Sequence, residues 1–398
     1  MNTNLKELSQ AATQWRRKLH ENPQTAYEEE FAAALVKGKL DEWGITYKSG
    51  IAGTGVVATI KGRNSSSGKT LGLRGDMDAL DIVEKTNVAH SSKIPGKMHA
   101  CGHDGHTAIL LATAKYLHDN PDFDGTAHLI FQPAEEGAKG ANKMMEDKLF
   151  ADFPCDMVFG LHNWPYLEKG QIATRVGPIM AAVDSVELTV NGQGAHAAMP
   201  QYGRDPLIAA ASLVMQLQTI VSRNVSPIDT AVISVTNFNC GTGADNIISD
   251  TATLSASVRS FKPEVRALLE QRVKEICKAT EIAHQVSIDI EYIQGTEPTI
   301  NSAEGVEIAA RAATQTVGIE NVILDVEPCM GGEDFGAMLQ DRPGAYVWIG
   351  QREPEEDSRH NQSLHSPFYD FNDEIIPTGV TYFANVVKDY LKEDDQTA

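Results

Sequence analysis

Residues 99–106 read His-Ala-Cys-Gly-His-Asp-Gly-His, placing one cysteine, three histidines and one aspartate in eight positions, and an apolar helical run follows at once. Such a cluster can be a metal site, a reactive thiol or a polar loop. Further side chains with ligand chemistry lie downstream. Glu135 and Glu136 follow "LIFQPA", His162 sits in "FGLHNW" and His365 in "SLHSPFYDF". Thiolate, imidazole and carboxylate together suit Zn²⁺, Mn²⁺, Co²⁺ or Ni²⁺. Read one at a time these residues are bland: a chance Cys-x-His, a solvated Glu-Glu pair, a lone histidine. The metal reading rests on their recurrence at the edges of core elements. Its sharpest competitor makes Cys101 a nucleophile served by His103, Asp104 or His106, and leaves Glu135, Glu136, His162 and His365 without a task.

The elements that must carry these residues follow from periodicity. Segment 27–44 reads as a helix stopped at Gly44, 55–60 and 70–76 as strands, and 106–119 as a strong helix. A strand at 125–132, a helix at 139–150 and a strand at 157–163 follow. This alternation predicts an α/β domain with a parallel or mixed sheet and helices on both faces. Sites in such sheets form beyond the carboxyl ends of strands, where Glu135, Glu136 and His162 fall.

Near Val183 the rhythm changes. Strand 185–192, helix 205–223, strands 230–238 and 251–260, helix 263–280 and strand 285–293 give β-α-β-β-α-β, the ferredoxin-like order of an α+β unit. After about residue 297 the α/β rhythm resumes with a helix at 303–317, a strand at 344–350 and a helix near 376–392. The expected organisation is one α/β domain, residues 1–183 and 297–398, split by an inserted domain at 184–296. "GRNSSSGK" (62–69) reads as an exposed loop.

Composition narrows the function classes. The 398 residues are 42% hydrophobic and 22% charged, values of a globular chain long enough for two cores. A net charge of −20 speaks against nucleic acid and anionic membrane as partners. The N-terminus has helical spacing (Leu5, Leu8, Ala12, Trp15, Leu19) rather than a signal-peptide core, and no apolar run approaches the roughly 20 residues of a membrane span. The five cysteines are odd in number and widely spread, so they form no disulfide framework. A cytoplasmic location is expected, which keeps Cys101 available as a thiolate.

Six blocks then occur in order: "RGDMDAL" (74–80), "MHACGHDGHTA" (98–108), "FQPAEEGAKGA" (131–141), "GLHNWP" (160–165), "GQGAHAAMP" (192–200) and "GGEDF" (331–335). Together they resemble the N-acyl-amino-acid amidohydrolases of the hippurate hydrolase type. That group includes the plant auxin-conjugate hydrolases and is related to aminoacylase and carboxypeptidase G. The resemblance spans essentially the whole chain. It implies two divalent metal ions held by Cys101, His103, Glu136, His162 and His365, with Cys101 bridging where aminoacylase relatives use an aspartate. It implies Glu135 as general base, facing the water while its neighbour Glu136 faces the metals. His196 would reach the scissile carbonyl, often from a partner subunit, and Asn246 with Arg259 would clamp the substrate carboxylate. The inserted domain would serve as lid and dimerisation domain of a homodimer or homotetramer. The implied activity is hydrolysis of the amide of an N-acyl amino acid, hippurate-like or N-acetyl. A metallo-dipeptidase or carboxypeptidase on the same scaffold is the alternative. A non-catalytic binding protein would have lost a ligand or the base, and all are present.

Several neighbours keep two readings. Asp104 either orients a ligand imidazole or caps the helix starting near His106. Asp76 and Asp78 hydrogen-bond near the centre without ligating. Glu333 either faces substrate or opens the helix "EDFGAML". The chain departs from the family block "DALPI" at Asp81, where proline is common, and this bears on substrate preference rather than on metal chemistry.

Overall fold

The computed structural model describes residues 3–392. The chain divides into two compact units. The first runs to Ile179 and resumes over Ile300–Glu327 and from Asp334 onward; the second comprises Met180–Thr299 with Pro328–Glu333.

The first unit is mixed α/β. Its amino-terminal elements are α1 (Thr3–His20), α2 (Glu30–Trp43), β1 (Thr46–Ile51), β2 (Gly55–Lys61), β3 (Thr70–Asp76), α3 (His103–Asp119) and β4 (Thr126–Gln132). Then come α4 (Gly140–Glu146), α5 (Leu149–Asp152), β5 (Met157–Glu168) and β6 (Ile172–Ala173). The sheet order is β1-β2-β4-β3-β5, then strand Gly344–Arg352, β6 and strand Val322–Ile323. β3 runs parallel to β4 and β5, and β5 parallel to Gly344–Arg352, whereas β2 is antiparallel to β1 and β4. β3 and β4 are buried at nearly every position, as strands covered on both faces must be. Leu71, Leu73, Phe131, Phe159 and Val347 form their shared core with Leu110 and Leu111 of α3.

Three boundaries differ from the sequence expectation, each for a local reason. α3 begins at His103 rather than His106, because Gly102 turns left-handed at φ 94 and starts the helix early. The helix expected over 139–150 is broken into α4 and α5 at Lys148, which takes φ 68. β5 runs on to Glu168, but its pairing with β3 ends at Gly160, so His162 emerges just past the last β3–β5 pair while still opposite Trp348.

In the second unit, strands Ala231–Cys240, Thr251–Ser260, Ala182–Asn191 and Ser287–Gln294 lie in that order, each antiparallel to its neighbour. Alternate residues Val186, Leu188 and Val190 are buried with Leu213 and Leu217 of helix Pro206–Arg223 and Leu269 and Val273 of helix Pro263–His284. Asp205 caps the first of these helices by accepting from Leu207 N at 2.9 Å, with Pro206 at its first turn. Among the described residues, no helix is long and apolar enough to cross a membrane.

One buried ionic network fixes the start of α3. Arg16 lies on the inward face of α1, one turn from Ala12 and one from His20, and is fully buried. Its Nε donates to Asp104 Oδ2 at 2.8 Å and its Nη2 to Asp370 Oδ1 at 2.9 Å. His20 Nδ1 reaches the same Asp104 oxygen at 2.8 Å. Burial opposes the charge on Asp104, but Arg16 and His20 outweigh it and hold the carboxyl well below the usual range. Asp370 is depressed in the same way, against burial, by Arg16 and His90. Asp104 therefore neither orients a ligand imidazole nor caps the helix from outside; it ties the first turn of α3 to α1. Arg16→Met should cost about 3–5 kcal/mol of stability by stranding two buried carboxylates. Both carboxylates have folded pKa values below their unfolded ones. The deficit should accordingly be largest at neutral pH and shrink as pH falls below about 4, which urea melts across pH will show.

Candidate metal centre

The donors arrive from four places in the first unit. Cys101 and His103 flank Gly102 at the start of α3. A Cβ at position 102 would collide with the Asn163 carboxamide and crowd the Tyr369 hydroxyl, so this close approach requires glycine. Glu135 and Glu136 lie in the turn after β4, His162 projects from β5, and His365 sits in the loop before helix Ile376–Tyr390 with φ 64. His365 N donates to Ala100 O at 2.8 Å, which ties that loop to the Cys101 segment.

The donor atoms of Cys101, His103 and His162 all lie within 4.8 Å of one another. So do those of Cys101, Glu136 and His365, and those of His103, Glu135 and Glu136. Cys101 Sγ is 3.4 Å from His162 Nε2, and His365 Nε2 is 3.2 Å from Glu136 Oε1. His103 Nε2 is 4.0 Å from both Glu135 Oε2 and Glu136 Oε1. These overlapping groups bring together all six residues that the sequence singled out in this unit.

The rings are aimed by their other nitrogens. His103 Nδ1 lies 3.2 Å from Asp78 Oδ1, and His162 Nδ1 donates to Asn163 O at 2.6 Å. Each therefore turns Nε2 toward the cluster. Asp78 does double duty, since its Oδ2 accepts from Glu136 N at 2.8 Å. His106 is different: Asp76 takes its Nδ1 at 2.6 Å and Asn163 its Nε2 at 2.7 Å, so it buttresses the centre without facing it.

Two atoms in this cluster are buried without a hydrogen-bond partner, His103 Nε2 and Glu136 Oε1. Burying an unpaired imidazole nitrogen or carboxylate oxygen is costly. The separations of 3.2–4.0 Å between donors are those of ligands sharing a cation at about 2.0–2.3 Å. Soft sulfur, imidazole and carboxylate are also the donor types of such a site. The residues present fit a divalent metal.

The charge states divide: His162 and Glu136 take forms that can ligate, whereas burial holds Cys101 as a thiol and the Asp76 charge raises His103 against burial. Burial pushes His162 far below its usual range, leaving a neutral imidazole with a lone pair to offer. Glu136 is held down against burial by His365 and His103, so it is a carboxylate. Burial and the Glu136 charge push the Cys101 thiol far up. That is the opposite of an activated nucleophile. His106 and Asp104 are engaged elsewhere, which leaves His103 as the one helper of the nucleophile reading still beside the thiol.

His196, Asn246 and Arg259 belong to the second unit. His196 is exposed in a two-residue strand opposite Ile247. Ala198 N donates to its Nδ1 at 3.1 Å, which puts the proton of the neutral ring on Nε2. Asn246 O accepts from Ala197 N at 3.0 Å, next to His196. Arg259 is half-buried; its Nε donates to Ser257 Oγ at 3.1 Å, and no carboxylate pairs with it among the described residues. Glu333 is buried, and the helix it was expected to open starts at Gly336 instead. Asp81 is exposed.

Sequence reasoning passed over Arg16, Glu29, Asn163 and Tyr369. A buried Arg16 was signalled by its place on the apolar face of α1. For the other three the sequence carries no periodic signal.

The sequence model of peptidase family M20/M25/M40 matches residues 72–389. A hippurate hydrolase of Campylobacter jejuni is 41% identical over 377 residues, covering 95% of this chain and 96% of that protein. An N-acetyl-L-cysteine deacetylase of Bacillus subtilis is 36% identical, covering 99% of this chain and 91% of the relative. The crystal structure of a Bacillus subtilis protein described as a dinuclear metal binding peptidase from the M20 family superposes with a TM-score of 0.83 at 31% identity, over 97% of this chain and 99% of that one.

The double role of Asp78 sets a test. An amide at this position can accept only one of its two bonds. Asp78→Asn should weaken divalent-metal affinity by about 10–100-fold, measured by competition with a chromophoric chelator, with little change in melting temperature.

Proposed function

This chain belongs to peptidase family M20/M25/M40, and on that premise we propose that it hydrolyses the amide bond of N-acyl amino acids, releasing a carboxylic acid and a free amino acid. The observation that carries the reading is the convergence of sulfur, nitrogen and oxygen donors, most of them buried and His365 exposed at the rim, with His103 Nε2 buried and without a hydrogen bond beside Glu135. The hippurate and N-acetylcysteine chemistry named for its relatives supports the substrate class. It also favours amide-capped substrates over the dipeptides of the alternative.

Cys101, His103, Glu136, His162 and His365 are the residues that would hold two divalent cations, Zn²⁺, Mn²⁺, Co²⁺ or Ni²⁺. Held there, the cations supply Lewis acidity toward the amide carbonyl and a water of lowered pKa. Glu135 takes the proton of the attacking water and delivers it to the leaving amine nitrogen. His196, with its proton on Nε2, donates to the developing oxyanion. Arg259 and Asn246 bind the substrate carboxylate, and the lack of an internal carboxylate on Arg259 leaves its fork of donors available. We take 184–296 as an inserted ferredoxin-like lid and dimerisation domain, a reading supported by its strand order. A homodimer or homotetramer in the cytoplasm completes the proposal.

Chelation should abolish activity on N-acetyl and N-benzoyl amino acids, and added divalent metal should restore it. Activity indifferent to chelation refutes the metal mechanism. Glu135→Gln should lower kcat by about 10²–10⁴-fold with metal content unchanged by atomic emission. Arg259→Ala should raise KM for substrates bearing a free α-carboxylate while sparing kcat. An equal loss on carboxylate-free amides removes it from the clamp.

A further inference from the structure

The turn that presents Glu135 is built against conformational preference. Ala134 adopts φ 55, a left-handed conformation that a residue with a Cβ avoids at a cost of roughly 1–2 kcal/mol. Something must hold it there. Ala134 N donates to Glu29 Oε1 at 2.9 Å. Glu29 is fully buried just before α2, far from Ala134 in sequence. The same oxygen accepts from Tyr27 N at 2.9 Å, and Tyr27 is itself left-handed at φ 64. Glu29 Oε2 accepts from Thr54 Oγ1 at 2.6 Å. All three donors are neutral, so the carboxylate serves as an acceptor hub rather than half of an ion pair.

Two residues further on, Glu136 N donates to Asp78 Oδ2 at 2.8 Å. Ala134 O accepts from Gly140 N at 2.9 Å, and Glu135 O from Gly137 N at 2.7 Å. The amides on either side of Glu135 are thus each gripped by a separate buried carboxylate, Glu29 before it and Asp78 after it. Asp78 also orients His103. Among the described residues Glu29 hydrogen-bonds no donor of the centre; it reaches the turn directly through Ala134 N, and also through Tyr27, whose hydroxyl donates to Ala138 O at 2.8 Å.

We propose that Glu29 is a positioning residue for the general base. By locking Ala134 in its left-handed conformation it sets the direction in which Glu135 leaves the turn, and hence the rate of proton transfer, without contributing to metal binding. This rests on Glu135 being the base.

The test uses the full-length enzyme loaded with Mn²⁺ or Zn²⁺ and assayed on N-acetyl and N-benzoyl amino acids. Glu29→Met removes every acceptor at similar volume. We expect kcat per bound metal to fall about 10²-fold while KM and metal stoichiometry stay within about threefold of the parent. Glu29→Gln keeps an oxygen for the two amides and offers its NH₂ to Thr54 Oγ1, so kcat should stay within about threefold. Adding Ala134→Gly to Glu29→Met should recover about tenfold or more, because glycine takes positive φ without a clamp. A purely structural role would lower melting temperature and yield but leave kcat per bound metal unchanged, and that result overturns the proposal. So does Glu29→Gln as inactive as Glu29→Met, or a glycine that restores nothing. Should Glu29→Met fail to accumulate, Glu29→Asp draws the carboxylate back by one methylene and should lose about tenfold in kcat; parental kcat there is equally fatal. Glu135→Gln run alongside separates the claims. Activity that survives it removes the base, whereas an inactive Glu135→Gln beside a fully active Glu29→Met removes only Glu29.

Discussion

Buried lone pairs without a partner are the constraint around which the first unit is arranged. Protein interiors tolerate polar atoms when they are paired, yet His103 Nε2 is buried without a hydrogen bond, and Glu136 Oε1 is buried with only the His365 ring at 3.2 Å beside it. Cys101 and His162 stand beside them, the one a thiol pushed up by burial and the other an imidazole pushed down by it. A divalent cation bound there would satisfy donor atoms that the protein itself leaves without a hydrogen bond. Metal binding and local order are therefore one equilibrium here.

That cost is contained by spending the opposite face of each donor on the protein. His103 leans on Asp78, His162 on the Asn163 carbonyl, and the His365 loop on Ala100 O. Behind them lie Arg74 between Asp76 and Asp334, and Arg16 between Asp104 and Asp370. Each arginine sits among carboxylates that would otherwise repel the acidic centre they surround. The parallel strands bring their carboxyl ends to one edge, and the charges behind that edge are neutralised before the donors face forward.

The sequence revealed what depends on periodicity and residue type. α3, β3, β4 and the alternating strands of the second unit follow from apolar spacing, and Cys101, His103, Glu135, Glu136, His162 and His365 are conspicuous by chemistry. What escaped has no local signature. Lys148 breaks a helical pattern through its own left-handed backbone, in a turn whose Asp147 carboxylate also accepts from Ala52 N. Asp104, next to a ligand-type histidine, could be read as serving that histidine or as capping the helix, and it serves Arg16 and His20 instead. The arginine is 88 positions away, as a contact made by folding must be. Glu29 looks like one more acid in "YEEEF" until the β2 and β4 segments close around it.

Backbone strain marks the same division. Tyr27, Ala134 and His365 all hold positive φ without being glycine. Ala134 precedes the glutamate pair, Tyr27 shares its anchor, and His365 is itself a donor. A turn in its preferred geometry could present these side chains only where local sterics allow. Forcing the backbone left-handed lets the chain aim them where the cluster requires, provided the rest of the structure over-determines the conformation. The acceptors that do so are Glu29, which holds its near neighbour Tyr27 together with the distant Ala134, and the Ala100 carbonyl, which holds His365 from another segment. The aim of the centre is thus a tertiary property. The donor types are written in the sequence, and their direction is written in the packing.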